Sequence, residues 1–332
     1  MLDEYFLFLA QTLTVVFAVL FIVAAVAQQR RQGGAPGWLQ VRTLNDAYRQ
    51  RQRALQRAGG RIPLAQRLRE VLANREKEET LPDRRLFVLD FHGDPRARAV
   101  EALREEVTAV LAAARPGEDE VVLRLESPGG TVPAYGLAAS QLVRLREQGI
   151  GLTVCVDRVA ASGGYLMAAV GDRIVAAPFA LVGSIGVVGA LPNFHRWLKN
   201  RDIDFEQHTA GDYKRTLTLF GENTDADRAK FQEDLESIHE QFKGFIGRYR
   251  PGLDVDRVAT GEFWLAEQAS SLGLVDELKT SDDFLMARRE EARLVEVRYR
   301  RREGMAQRMA PVAERLFSRR DPVDTPLPRQ WQ

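Results

Sequence analysis

One serine lies among small residues in Ala161-Ser162-Gly163-Gly164-Tyr165, between the run GLTVCVD (151–157) and a helix-type stretch over 162–170. At a strand-to-helix junction the first helical N–H groups are unpaired, so negative charge developing on a nearby oxygen is favoured. The same residues also suit an N-cap serine in a Gly-rich turn. The Gly-x-Ser-x-Gly elbow pattern is absent, because Ala160 stands where its first glycine would be. A second group, Ser127-Pro128-Gly129-Gly130, follows the run EVVLRLE (120–126). Its two glycines, Gly129 and Gly130, permit φ > 0, so backbone N–H groups there could point outward at an oxyanion. A plain β-turn reads equally well from those four residues. A serine nucleophile needs a base, and no histidine lies between Gly163 and Phe194. His195 and His208 have no evident acid partner, so a Ser-His-Asp triad has little support. Lys214, in AGDYKRTLTL, stands out among the body's lysines for the apolar residues beyond it. A lysine base must be desolvated to bring its pKa toward neutrality; a salt-bridged surface lysine is the other reading. Ser184, in Gly183-Ser184-Ile185-Gly186, adds a hydroxyl able to hold a lysine amine.

These groups fall on an alternation of strand and helix patterns. Strands are predicted over 86–91, 120–126, 151–157, 172–178 and 204–209, with a Gly-rich strand or turn at 184–189. Helices are predicted over 97–114, 132–148, 162–170, 193–201 and 225–249. Such alternation implies βαβ units, hence an α/β fold with a mostly parallel sheet and flanking helices. No GxxxxGK[ST] loop and no helix-opening GxGxxG occurs, which removes the main support for nucleotide hydrolysis and Rossmann redox chemistry. Cys155 is the one cysteine and the four histidines are scattered, so neither a disulfide nor a metal site is predicted.

Charge and hydropathy divide the 332 residues further. Residues 5–27 carry no charge, long enough for one transmembrane helix across a core of about 30 Å. The acidic flank Asp3-Glu4 and the length of the run argue against a cleaved signal peptide. Residues 28–75 hold eleven arginines against two acids, and 288–320 hold eleven against five glutamates, around an acidic body. No nucleic-acid partner is predicted, since a nucleic-acid binder would carry its basic face on the folded domain. The expected order is a transmembrane anchor (1–30), a basic helical connector (31–84) with helices over 42–57 and 63–79, a catalytic domain (85–290), and a basic, Pro-rich, mobile tail (291–332). The anchor makes membrane lipid a partner.

SPGG after a strand, ASGGY with its serine, VGSIGV and a lone lysine in GDYKRT, in that order, resemble the signal peptide peptidase A family of serine proteases, most nearly its SohB branch. The resemblance spans the anchor to about residue 300. It implies a ClpP/crotonase-like fold behind one N-terminal transmembrane helix, assembly as a homo-oligomeric ring or dome, and no cofactor. Ser162 would be the nucleophile, Lys214 the general base and Ser184 the group orienting its amine. Gly163, with Gly129 or Gly130, would hold the oxyanion. Substrates would be peptides or unfolded proteins, cut at a single-pass inner-membrane site. The positive-inside rule places residues 28 onward in the cytoplasm, whereas the resemblance implies the outer face. Two other readings of these residues are a crotonase-like acyl-CoA enzyme, which needs the oxyanion hole but no Ser–Lys pair, and a catalytically idle membrane adaptor.

Overall fold

Strand β2 (Arg85–His92) is apolar on both faces: Phe87, Leu89 and Phe91 enter one core cluster, Leu86 and Val88 another. A strand of this kind belongs inside a parallel sheet covered on both sides. The computed structural model describes residues 12–16, 37–58 and 83–300, and residues 40–298 cluster as one unit. Its main sheet adds β1 (Trp38–Thr43), β3 (Glu120–Glu126), β4 (Gly151–Val156), β6 (Arg173–Ala176), β9 (Glu277–Leu278) and β10 (Arg293–Arg300). The order is β1-β10-β2-β3-β4-β6-β9, parallel from β10 to β9. Helices α2 (Val100–Ala113), α3 (Val132–Glu147) and α4 (Gly163–Ala169) supply the larger core. Helix α9 (Ser281–Arg288) supplies Phe284 and Leu285 to the other, with Leu44 and Tyr48 of α1 (Leu44–Ala58) packed against it. Buried Asn45 fixes this layer: its amide donates to the Arg289 and Ala292 carbonyls and its Oδ1 accepts from the Leu294 N–H.

A second, three-stranded sheet carries the site. Strand β5 (Val159–Ala161) pairs parallel with β7 (Leu181–Gly183), which pairs antiparallel with β8 (Phe263–Leu265). Beyond it run α5 (His195–Lys199), α6 (Asp225–Tyr249), α7 (Val255–Val258) and α8 (Ala266–Ser271). A reciprocal box between Thr224 and Asp227 starts α6 at the predicted residue.

Three expectations change. Residues 204–209 form no strand; Phe205 is their one apolar side chain and packs against Phe220, and the polar residues around it give no face to bury in a sheet. Of the two readings of 184–189, strand or turn, the strand falls: the strand here is β7, which ends just before them at Gly183. Residues 293–300, assigned to the tail, form β10 inside the main sheet. Leu294, Glu296 and Val297 are buried there, and Glu296 is ion-paired to Arg124 and Arg298. The rest of the tail, the helix at 63–79 and all of the apolar run except 12–16 lie outside the described residues. Among the described residues no helix is long and apolar enough to cross a membrane.

Candidate active site

Strand β5 hands the chain to α4 through one residue, Ser162, with φ 52° and ψ −120°. A non-glycine residue there is strained, and such strain concentrates where a side chain must be presented. The turn is over-determined: the Ser162 N–H donates to the Gly183 carbonyl at 2.8 Å and the Leu166 N–H donates to the Ser162 carbonyl at 3.0 Å. The elbow geometry therefore exists without the elbow's first glycine. Gly163 and Gly164 follow because space forbids a Cβ: at Gly163 it would enter the Tyr135 ring, at Gly164 it would lie 2.5 Å from the Ser127 carbonyl oxygen.

The SPGG loop is seated on this turn. Gly129 has φ +90°, and a Cβ on it would lie 2.7 Å from the Ala161 carbonyl oxygen, 2.8 Å from Ser162 Cβ and 2.9 Å from the Gly163 nitrogen. Gly129, Ser162 and Gly163 are thus in contact. The Gly129 N–H is already used, donating to Ser127 Oγ at 3.1 Å. The Gly130 and Gly163 N–H groups have no protein acceptor among the described residues. Ser127 itself is buried and ties the loop to β5: its N–H donates to the Val159 carbonyl, and its own carbonyl accepts from the Ala161 N–H. Tyr135 Oη lies 2.5 Å from Ser127 Oγ and donates to the Asp94 carbonyl at 3.0 Å.

Ser184 sits one residue past β7, beside the turn, also at positive φ (51°), its N–H donating to the Glu262 carbonyl. Lys214 is placed differently. It is exposed, on an irregular segment, and its ammonium makes no hydrogen bond to Ser162 or Ser184 within the chain. Ser162, Ser184 and the three glycines are brought together; Lys214 is not joined to them. No histidine hydrogen-bonds the Ser162 hydroxyl among the described residues. The buried Ser127–Tyr135 pair escaped the sequence reading, since only the fold brings α3 under the loop.

A cavity of about 290 Å³ lies elsewhere, at the C-terminal ends of β2, β3 and β4. Its two arginines are ion-paired, Arg124 to Asp90 and Glu296, Arg298 to Asp90. The thiol in its wall, Cys155, is pushed up to about 12 by burial, with Asp157 adding to the effect, so it is no nucleophile near neutrality. The strained serine lies apart from this cavity, at the β5–α4 turn.

The sequence profile described as peptidase family S49 N-terminal matches residues 1–142, and that described as peptidase family S49 matches residues 144–295. A probable protease SohB of Haemophilus influenzae is 43% identical over 333 residues, covering 94% of this chain and 93% of the relative. The chain belongs to peptidase family S49. Within S49 it falls in the SohB branch. A second probable protease SohB, from Buchnera aphidicola subsp. Acyrthosiphon pisum, is 55% identical over 225 residues, 68% of this chain and 67% of the relative. Protease 4 of Salmonella typhi is 32% identical over 185 residues, 54% of this chain and 29% of its own length.

Proposed function

We propose that this S49 chain is a membrane-anchored serine endopeptidase that cuts unfolded or membrane-derived peptides with a Ser162–Lys214 dyad. The observation that carries the reading is the strained Ser162 backbone, held against a glycine loop, with the Gly130 and Gly163 N–H groups lacking a protein acceptor among the described residues. Strain of this order, about 1–3 kcal/mol, persists where presenting the side chain repays it. An acyl-CoA enzyme would use the same N–H groups but gives the strained serine no purpose, and an idle adaptor needs neither.

On this reading the reaction runs as follows. Ser162 Oγ attacks the scissile carbonyl while the neutral Lys214 amine takes its proton. The Gly130 and Gly163 N–H groups receive the oxyanion, since the Gly129 N–H is occupied. On collapse the C–N bond breaks and Lys214 returns the proton to the leaving amine. Water, deprotonated by Lys214, then releases the acyl group and restores Ser162. Ser184, beside the turn, orients the lysine amine.

Lys214 is exposed within one chain, as are Val188, Trp197 and Phe205 on the same long segment. We infer that copies assemble over this segment, and that assembly supplies the desolvation and placement the lysine base requires. The test is casein hydrolysis by the full-length protein in mild detergent, beside Ser162→Ala and Lys214→Ala, with folding checked by circular dichroism. Wild type should cut and neither variant should. Equal cutting by all three would remove the dyad.

A further inference from the structure

The oxyanion loop is held by a buried line of hydroxyls that takes no part in the steps above. Tyr135 Oη spends its one proton on the Asp94 carbonyl. The 2.5 Å bond between Tyr135 and Ser127 must therefore be donated by Ser127 Oγ, leaving its lone pairs to accept the Gly129 N–H at 3.1 Å. The direction of every proton in the line Gly129 N–H, Ser127 O–H, Tyr135 O–H, Asp94 C=O is fixed, and such chains reinforce one another. Both hydroxyl residues are essentially inaccessible to solvent, so water cannot replace a missing member.

We propose that Ser127 is a positioning residue for the oxyanion hole, and that Tyr135 acts through it. The inference rests on the serine-protease reading. Three observations support the role. First, the Gly129 N–H is buried against the Ser162 turn and has Ser127 Oγ as its acceptor; without it, an unsatisfied buried donor drives the peptide to rotate. Second, Gly129 precedes Gly130 directly, so a change in the Gly129 backbone re-aims the Gly130 N–H that receives the oxyanion. Third, the same Ser127 backbone bonds β5 on both sides of Ala160, so loop and nucleophile are set from one residue. The surroundings leave room for nothing else: a Cβ on Gly93 would meet Ser127 Oγ and Tyr135 Oη, and the Gly93 N–H is held by the Glu126 carbonyl.

A positioning role for the oxyanion differs measurably from a structural one. The peptide bond's ground state makes little use of the hole, whereas the tetrahedral species depends on it. The experiment uses full-length protein in mild detergent, wild type beside Ser127→Ala and Tyr135→Phe. It measures kcat and KM on a fluorogenic peptide, inhibition by a peptide aldehyde that adds reversibly to Ser162, and inhibition by the matching peptide amide, which cannot add. Ser127→Ala should lower kcat about 10²-fold, in the range for losing one oxyanion donor. It should weaken the aldehyde by a similar factor and leave KM and amide binding within about twofold. Tyr135→Phe should move the same two quantities in the same direction by less. The proposal is overturned if folded Ser127→Ala keeps wild-type kcat and aldehyde affinity. It is equally overturned if aldehyde and amide weaken together, which marks a collapsed cleft. A wild-type protein that neither cuts nor binds the aldehyde removes the protease reading, and the positioning role with it. Loss of the positioning role alone leaves wild-type activity in place.

Discussion

At the scale of single residues, the turn at Ser162 is a compromise between stability and presentation. Its φ of 52° and ψ of −120° suit glycine. Replacing the hydroxyl by hydrogen therefore does not relieve the strain, but removing Cβ does. Ser162→Gly and Ser162→Ala should both be inactive, with the glycine variant the more stable by about 1 kcal/mol, the lower end of the strain range. Thermal or urea unfolding of the two variants side by side checks this, and an alanine variant as stable as the glycine one would contradict it. Much of this site was legible in the sequence. Small residues around Ser162 and the glycines after β3 announce close backbone approach. That the Gly129 N–H is bonded while the Gly130 N–H lacks a protein acceptor among the described residues was not legible, because it turns on where one buried hydroxyl points. Nor was the isolation of Lys214 from Ser162, which sequence order alone does not reveal.

At the scale of elements, Asp119 locks the N-terminal end of β2 to the C-terminal end of α2. Its carboxylate accepts from the Arg85 and Arg115 backbone N–H groups and from both guanidinium groups. Burial alone would raise this carboxyl, but the hydrogen bonds from Arg85 and Arg115 outweigh it and hold it well below the usual carboxylate range. A depressed folded-state pKa contributes stability that is present above the ordinary carboxylate value and lost as pH falls through the folded one. The acid limb of the stability curve should therefore fall below about pH 4 in wild type and be flatter in Asp119→Asn. At neutral pH that variant should cost about 3 kcal/mol, the low end for breaking a buried pair, since both guanidinium groups reach solvent. Urea titrations at several pH values measure both effects. Elements of this body were readable where burial repeats regularly: β3 and α6 match their predicted bounds. Strand β10 was not, because RLVEVRYR spends charged residues on ion pairs that look like a solvated tail when read locally. The short strands β5 and β8, three residues each, carry too few positions to declare a period.

At the scale of the molecule, the segment after Ser184 leaves much apolar surface in water. Val188 is 90% exposed, Tyr213 69% and Trp197 54%. Contiguous exposed apolar patches are the surfaces on which interaction faces form. Under the assembly proposed above, Val188→Asp should lower the sedimentation coefficient in mild detergent toward that of one chain. Activity should fall with it, while circular dichroism stays native. Wild type sedimenting as a single chain would count against assembly. One further property of the whole chain has a practical consequence. Its 332 residues include a single cysteine, and Cys155 is sealed in the core. The protein is thus its own background for site-specific labelling. A thiol introduced at Val188 would be the one group reactive to maleimides in the folded state. A spin or fluorescent label there would report the spacing between neighbouring copies without any prior removal of native cysteines.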